Sequence, residues 1–346
     1  MLRVSFTNSY SSSLRLLMVL LVVAALPLGC AKVQPEPFAK FSASMQELRA
    51  GTDQASSVVG TWSLDRTTVE LVSLSPNEAV TRISKFLINC DRVKGTFDPL
   101  ACRSESEPLF IKVDRFRRGF YALNTALISY GTALQMLASP DLVDSKTFDK
   151  LRTDLNGNLI QAAKQFGVTS VMVGTEQFKV EGFALFTTIS TEAGRGIIEQ
   201  RRKNQLVRIL KENQSQIAAV AALGYEGASN LGTELRNEYG LLAESLVYQS
   251  SGFSSNRTPS PSSNESSRRK AFDQLMALNK LFATNLEVID ALHRAYSTLP
   301  AAHTALSMDL ESSTTGWAAM QDIFREGQRL FAIYNELAKA NQVASK

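Results

Sequence analysis

The sequence predicts an all-α protein, folded as an elongated antiparallel bundle of about seven to eight long helices with no β-sheet. Hydrophobic residues make up 44% of the 346-residue chain and charged residues 20%, a balance typical of a folded core and not of disorder. Apolar residues recur at alternating steps of three and four in several long segments, which is the period of a helix buried along one face. The only β-like run spans 168–173, and we interpret it as a connector or a first helical turn.

The first thirty residues have the parts of a secretory signal. Arg3 and Arg15 precede an apolar run at 16–26, which is too short to span a bilayer because a spanning helix needs about 20 apolar residues. We therefore predict that residues 1–29 are a signal peptide that is removed on export. Residues 30–37, with two prolines, are then a short tether in front of the folded body.

The segment Leu26-Pro27-Leu28-Gly29-Cys30 resembles the lipobox of bacterial lipoproteins. In that family the cysteine becomes the first mature residue and is acylated through its thiol, typically with palmitate, which anchors the protein to a membrane. Pro27 departs from the family pattern, which usually has leucine three places before the cysteine. The resemblance implies lipidation at Cys30, and Ala31 in place of aspartate implies the outer membrane. Ordinary secretion, with cleavage beside Cys30, is the alternative.

The charge balance and the few metal-binding side chains exclude several function classes. The chain has 37 Lys and Arg against 33 Asp and Glu, a net charge of +4 that falls to +2 once the two leader arginines are removed. So small a charge gives no electrostatic footprint for nucleic acid. Two histidines and three cysteines are too few for most zinc, haem and iron–sulfur sites.

If Cys30 carries lipid, Cys90 and Cys102 remain as a pair. Exported proteins fold in an oxidising compartment, and the residues between these cysteines have the Gly, Pro and Asp of an irregular loop. We predict a disulfide that fastens this loop to the end of a helix. By the chain-entropy model it contributes about 2–3 kcal/mol.

Capping residues, prolines and glycines indicate where the helices begin and end. Ser75-Pro76-Asn77-Glu78 combines an N-cap serine, a proline at the first helical position and a glutamate three residues after the cap. Gly51 and Gly60 are possible interruptions of the first helix. The predicted helices span 38–74, 77–89, 108–138, 145–166, 175–211, 214–250, 266–298 and 302–342.

The helical domain at 38–346 contains three apolar seams and a flexible loop. The loop, at 250–267, has nine serines and two prolines. One seam comprises Val113, Phe116, Phe120, Leu123, Leu127, Tyr130, Leu134 and Leu137. A second comprises Leu278, Phe282, Leu286, Ile289, Leu292 and Tyr296, with a solvated outer face of alternating charge at Asp273, Lys280, Glu287 and Arg294.

The third and longest seam lies at the C-terminus. It comprises Leu306, Leu310, Ser313, Trp317, Met320, Phe324, Gly327, Phe331, Tyr334 and Ala338. A second column, Ile323, Leu330 and Leu337, widens the apolar face, so this helix should contact at least two neighbours.

The sequence contains no convincing catalytic constellation. His293 follows Asp290 by three residues, as in di-iron bundles, but His303 has Pro300 at the equivalent position, so a second element is missing. We interpret His293 as a helix-surface residue and His303 as lying in a helix-cap region. Ser229 is not in a nucleophile elbow, and no phosphate-binding glycine loop is present. We therefore expect no enzymatic activity, no cofactor and no metal site.

Two groups of residues are candidate binding sites. A basic group, Arg195, Arg201, Arg202 and Lys203, would contact lipid headgroups, lipopolysaccharide phosphates or an acidic partner; solvated helix ends are the alternative. A second basic cluster at Arg115, Arg117 and Arg118 has the same two interpretations. Phenylalanines interleaved with glycines on one predicted helix, Phe178, Phe183 and Phe186, would line a ligand gap, with packed core as the alternative.

Taken together, these features favour a membrane-anchored lipoprotein that faces the periplasm and acts as a non-enzymatic scaffold or interaction module for another envelope protein. The alternative is a carrier that binds a hydrophobic or lipid-like ligand between its helices. An apolar cavity would favour the carrier, whereas a solid core with an exposed apolar stripe would favour the scaffold.

Overall fold

A computed structural model describes residues 33, 35–86, 88–90, 102–104, 107–139, 145–182, 199–251, 265–312 and 317–344. In these ranges seven α-helices and two small hairpins follow one another, and the all-α class is confirmed. The elements are α1 (Glu36–Ser73), α2 (Pro76–Phe86), β1 (Ile88–Cys90), β2 (Cys102–Ser104), α3 (Leu109–Ala138), α4 (Ser145–Phe166), β3 (Ser170–Val173), β4 (Glu176–Lys179), α5 (Glu199–Ser251), α6 (Glu265–Ser312) and α7 (Trp317–Ala344).

The helix α1 packs antiparallel against α3. Ser42, near the start of α1, donates from Oγ to the carbonyl of Ile128 near the end of α3, at 3.4 Å. Asp53, further along α1, accepts from Arg117 near the start of α3, at 2.8 Å. The glycine at position 51 does not interrupt α1, which runs unbroken for 38 residues. In α3 the predicted seam is buried except for its last residue, Leu137, which is partly buried.

The two longest helices, α5 and α6, form a second antiparallel pair. Gln214 donates from Nε2 to the carbonyl of Pro300 at 3.2 Å, and Tyr239 donates its hydroxyl to Asn279 at 2.6 Å. The 53 residues of α5 correspond to about 80 Å. The break predicted between 211 and 214 is wrong, because α5 is continuous there. The loop predicted at 250–267 is shorter than expected, since helix occupies both of its ends.

The chain reverses between α6 and α7, which corrects the prediction of one helix over 302–342. Arg294 on α6 contacts Glu326 on α7 at 3.2 Å, so the two helices run antiparallel. The predicted break at Pro300 is also wrong, because α6 continues through the proline to Ser312. Proline has no N–H to donate to the Tyr296 carbonyl four residues earlier, yet the helix continues, and the Pro300 carbonyl accepts from Thr304 Oγ1, at 2.9 Å, and from Gln214 of α5.

Close approach of two glycines determines which face of α7 is buried. A Cβ added at Gly51 of α1 would lie 2.7 Å from the carbonyl oxygen of Gly327 of α7, so only glycine allows this crossing. Ile323 and Leu330, on either side of Gly327, are fully buried. Phe324, a member of the predicted seam, is exposed instead. Among the described side chains, the second column therefore supplies the buried residues Ile323 and Leu330, while Gly327 of the predicted seam makes the close contact with α1.

Phe166 fills the space between α3, α4 and α5 at the end of α4. Its ring lies 4.8 Å from that of Phe120, and glycines at 119 and 227 leave room for it on both sides. Asn230 donates to the Phe166 carbonyl at 3.1 Å. Gly167, at φ +71°, then ends α4 in a Schellman motif, with Val168 N–H bonded to the carbonyl of Ala163 at 2.9 Å.

The prediction of no β-sheet is wrong at two places, where two-stranded antiparallel hairpins form. In the β3–β4 hairpin Val173 pairs with Glu176, and Gly174, at φ +59°, occupies the turn that was expected to be helical. Val171 is buried against the helices, which stabilises a short strand that would not be stable alone. In the β1–β2 hairpin Cys90 pairs directly with Cys102.

Gly157 within α4 and Gly167 just after its end should respond oppositely to substitution by alanine. Gly167→Ala forces a β-carbon into the left-handed region and should lower the free energy of unfolding by about 1 kcal/mol. Gly157→Ala is the matched control: it lies within the helix and its Cβ would meet nothing within 4 Å, so it should raise stability by up to about 1 kcal/mol. Urea unfolding measures both, and a stabilising Gly167→Ala would contradict the helix end described here.

Candidate functional site

The predicted ligand-lining phenylalanines do not share one helix. Phe178 lies in β4, opposite Val171 of β3, and its partly buried ring packs on the core. The other two, Phe183 and Phe186, lie outside the described residues, as does the predicted lipidation site, Cys30. The expectation of a helical phenylalanine row that begins at 178 is therefore wrong, because a hairpin occupies 170–179.

The predicted basic group is only partly described. Arg195 lies outside the described residues, whereas Arg201, Arg202 and Lys203 lie in the first described turns of α5. The other basic cluster, on α3, is neutralised by carboxylates. Its guanidinium groups pair at 2.7–3.1 Å in four contacts, Arg115 with Glu107, Arg117 with Asp53 and Asp114, and Arg118 with Asp114. These pairs do not favour an anion-binding role for the α3 cluster.

A chain of hydrogen bonds buried between α3, α5 and α6 is the main feature that the sequence analysis missed. His303 is fully buried, its Nε2 lies 2.5 Å from the Tyr130 hydroxyl, and its Nδ1 lies 2.6 Å from Gln214 Oε1. Gln214 Nε2 continues the chain to the Pro300 carbonyl. The assumption that α6 ends at Pro300 hid this role, although Leu299 and His303 continue the buried spacing of the second seam.

Donor and acceptor chemistry fixes the direction of each hydrogen bond between Tyr130, His303, Gln214 and Pro300. The Pro300 carbonyl can only accept, so the Gln214 amide nitrogen faces it and Gln214 Oε1 faces His303. His303 Nδ1 must then carry the proton, and Nε2 accepts from the Tyr130 hydroxyl. Every group is satisfied with His303 neutral. The chain therefore joins three helices without burying a charge.

Burial keeps these groups neutral. It lowers the pKa of His303 to about 3 and raises the pKa of Tyr130 far above its ordinary value. Tyr296, nearby on α6, is also fully buried and has a raised pKa; its hydroxyl donates to Asn124 Oδ1 at 3.2 Å. An enclosed chain of neutral groups is suited to holding helices in register, and its histidine has no lone pair free for a substrate.

The second histidine, His293, lies at the surface edge between α5 and α6. Its Nε2 is 3.0 Å from Ser229 Oγ, and its ring stacks on Tyr225 with centroids 4.0 Å apart. Burial is the largest effect on its pKa, which lies below the ordinary value. Asp290 pairs with Arg294 at 2.5 Å. Ser229 lies in the middle of a helix, where backbone N–H groups are engaged and cannot stabilise an oxyanion.

Two exposed surfaces carry large apolar side chains. The first, which we call the α1–α2 end surface, consists of Leu64 and Val72 of α1 and Val80 and Ile83 of α2. Val72 and Val80 are 81% and 67% exposed. Among the large hydrophobic residues that the structure describes, only Leu241, at 68%, has a comparable exposure. Val72 lies at the C-terminal end of α1, and Val80 lies on α2, which follows directly.

The second, the α5–α6 outer face, consists of Tyr225 and Val247 of α5 and Phe272, Met276 and Leu286 of α6. Leu286 was expected in the buried seam but is 37% exposed, because α5 covers only the side of α6 that carries Phe282 and Ile289. The predicted solvated row is confirmed for Asp273, Lys280 and Glu287, which are exposed. Arg294, its last member, is partly covered and pairs with two carboxylates.

Comparison of the chain with known protein families, curated proteins and solved structures finds no significant match in any of the three. In the ranges that the structure describes, no helix is long and apolar enough to cross a membrane. The described residues also contain no group of three or more His, Cys, Asp or Glu side chains placed to hold a metal.

The buried histidine should make stability depend on pH. The ordinary pKa of 6.5 applies in the unfolded chain and a pKa of about 3 in the folded one, so only the unfolded chain gains a proton between these values. The contribution of neutral His303 is thus full above pH 6.5 and is lost as the pH falls toward 3.

We expect His303→Gln, which does not titrate, to remove a slope of up to about 1.4 kcal/mol per pH unit from the free energy of unfolding. Urea unfolding between about pH 4 and pH 7 measures this slope as a difference from the parent chain. His293→Gln is the comparison variant: burial also lowers the pKa of His293, so this change should remove only its own contribution to the slope and leave that of His303. An equal slope in the parent and in His303→Gln would contradict the assignment.

Proposed function

We propose that the protein is a lipoprotein anchored to the outer membrane through Cys30, facing the periplasm, and that it acts as a non-enzymatic scaffold for an envelope protein. The observation that carries the proposal is the α1–α2 end surface. Because α1 begins at Glu36, its start lies close to the proposed anchor, and its 38 residues place the end surface about 55 Å away. An apolar surface projected so far from the anchor is available to a partner.

The helix α2 is suited to recognition by a partner. Ser75 donates from N and from Oγ to Glu78 Oε2, at 3.1 and 2.6 Å, and these bonds lower the pKa of Glu78. These two bonds, which include the glutamate half of a capping box, stabilise the start of a helix whose described side chains are mostly exposed. Val80 and Ile83 lie three residues apart, on one face of α2. An apolar groove on a partner would bury both of them.

Core packing favours the scaffold over the carrier. Aromatic rings fill the spaces between helices where a ligand would lie: Phe166 lies between Gly119 and Gly227, and Tyr296 lies against Gly224. A Cβ at Gly224 would be 2.5 Å from the Tyr296 ring. Both rings are buried, so an acyl chain would have to displace them.

We also propose that Cys90 and Cys102 form a disulfide. The residues that the structure describes form no disulfide bond, but the two cysteines are direct partners in the β1–β2 ladder. Directly opposed residues of an antiparallel pair have Cα atoms about 4.5–5.5 Å apart, within the range that a disulfide spans. The bridge would join two strands of a hairpin, and the irregular loop predicted between the cysteines, at 91–101, lies outside the described residues.

The anchor and the end surface can be tested together in a bacterial host that expresses the full chain with its leader. We expect a palmitate analogue to label the parent chain, and Cys30→Ser to abolish the label and release the protein from membranes. We expect a photo-crosslinking residue at Val80 to capture an envelope protein. The double variant Val80→Glu/Ile83→Glu should lose at least about tenfold in partner affinity because it buries charge.

The control for this surface is Thr81→Glu/Lys85→Glu, on exposed positions outside the apolar face of α2. It should keep the partner, and both double variants should unfold at the parent temperature because the substituted side chains are exposed. An unlabelled parent chain would contradict the anchor. Equal capture by both double variants would contradict the scaffold role of this surface, and a small molecule in the native mass spectrum that is lost on denaturation would support the carrier.

The disulfide is tested on protein isolated from the periplasm or envelope without reductant. We expect thiol-alkylating reagent to leave Cys90 and Cys102 unmodified, and reduction to add two hydrogens to the mass. The double variant Cys90→Ser/Cys102→Ser should be less stable by about 2–3 kcal/mol. The control is the single variant Cys102→Ser, which should expose one reactive thiol at Cys90. Two alkylated thiols in the unreduced parent would contradict the pairing.

A further inference from the structure

Three of the four residues in the charged row on α6 make no ion pair with other described residues of the chain. Asp273, Lys280, Glu287 and Arg294 are seven residues apart and alternate in sign. Seven residues are close to two helical turns, so the row follows one flank of the exposed α6 stripe. The first three are exposed and make no ion pair within the part of the chain that the structure describes. Arg294 already pairs with Asp290 and Glu326.

This row is complementary to itself when one copy is reversed. Where two identical helices pair antiparallel, each flank of the contact meets the same flank of the other copy. If the two-fold axis passes between Ala283 and Thr284, Lys280 of each copy faces Glu287 of the other. Asp273 then faces Arg294. An antiparallel shift of seven residues in either direction would place like charges together, so the signs favour the register centred between Ala283 and Thr284 over those two.

Apolar side chains lie beside the row on the same exposed side of α6. Phe272, Met276 and Leu286 are 52%, 50% and 37% exposed, and the small exposed side chain of Ala283 lies among them, beside the axis. Their spacing of four, seven and three residues keeps all of them on one helical face. A small residue at the axis lets two helices approach closely while larger side chains pack on either side of it.

The size of the face is sufficient for a stable pair. The row from Asp273 to Arg294 is about 32 Å long, and α5 and α6 side by side are about 20 Å wide. Two such faces would bury about 1,300 Å² in total, within the range of specific interfaces. On α5, Tyr225 and Val247 are also exposed, and the Tyr225 ring stacks on His293 of α6.

We propose that this protein forms a homodimer through the α5–α6 outer face, with α6 antiparallel to α6 of a second copy about an axis between Ala283 and Thr284. The contact joins two α5–α6 pairs into a four-helix unit. It leaves the α1–α2 end surface uncovered, because that surface consists of other helices. The dimer is independent of the proposed anchor and partner and can fail or hold without them.

Cysteine cross-linking of the full chain in its expression host tests the axis. Ala283→Cys should give a disulfide-linked dimer on mild oxidation, because position 283 lies beside its own copy. Ser297→Cys is the matched control: it is exposed on the same helix, but two copies of it would lie about 40 Å apart, so it should stay monomeric. The parent chain controls for the three native cysteines. Failure of Ala283→Cys to cross-link, or equal cross-linking at Ser297→Cys, would overturn the proposal.

A charge exchange tests the pairing itself. Lys280→Glu and Glu287→Lys should each raise the dimer dissociation constant by about tenfold, because each change creates two like-charged contacts by symmetry. The double variant Lys280→Glu/Glu287→Lys should restore the parent constant, measured by sedimentation of the purified chain. Both positions are exposed, so circular dichroism should show no loss of helix. A monomeric parent chain, or a double variant as weak as the singles, would overturn the proposal.

Discussion

The hydrogen-bonded chain from Tyr130 through His303 to Gln214 holds three helices at one level. Long helices with uniform apolar seams can pack equally well after sliding by a whole turn, because one row of aliphatic side chains resembles the next. A buried donor or acceptor is different, since leaving it unsatisfied costs about 1–3 kcal/mol. The hydrogen bonds from Tyr130 to Gln214 form at only one relative position of the three helices. The last of them ends on the Pro300 carbonyl, on the same helix as His303.

Close approach by small residues completes this arrangement. The crossing of α1 and α7 depends on two facing glycines, and the ring of Tyr296 lies against a third, Gly224. These contacts leave the middle of the bundle filled by side chains, while the long helices α5 and α6 carry exposed apolar residues on their outer side. A stiff body with apolar surfaces away from its core suits a protein that binds other proteins, and this is the physical basis of both proposals.

The predicted sites differ in how far the local sequence determines the surroundings of each residue. The cysteine pair was recognisable because two cysteines remain after the leader, and the backbone places them opposite each other. The sequence places His303 in a helix-cap region because Pro300, three residues earlier, favours a helix end. The proline removes only the bond to the Tyr296 carbonyl, and α6 continues with Tyr296, Leu299 and His303 all buried against other helices. The sequence of this segment alone does not contain those contacts.

Local patterns predicted the helical class, the bounds of α1, α3 and α4 to within two residues and the buried seam of α3, because these follow from periodicity and capping within one segment. Tertiary structure decided the rest. Whether Val171 forms a strand depends on the helices that cover it, and whether Leu286 is buried depends on which side of α6 faces α5. Likewise, the column that α7 buries depends on the glycine it meets on α1. These outcomes depend on the energies of contacts between segments that are far apart in the sequence. Such contacts form only when the helices pack, so the pattern of one segment does not predict them.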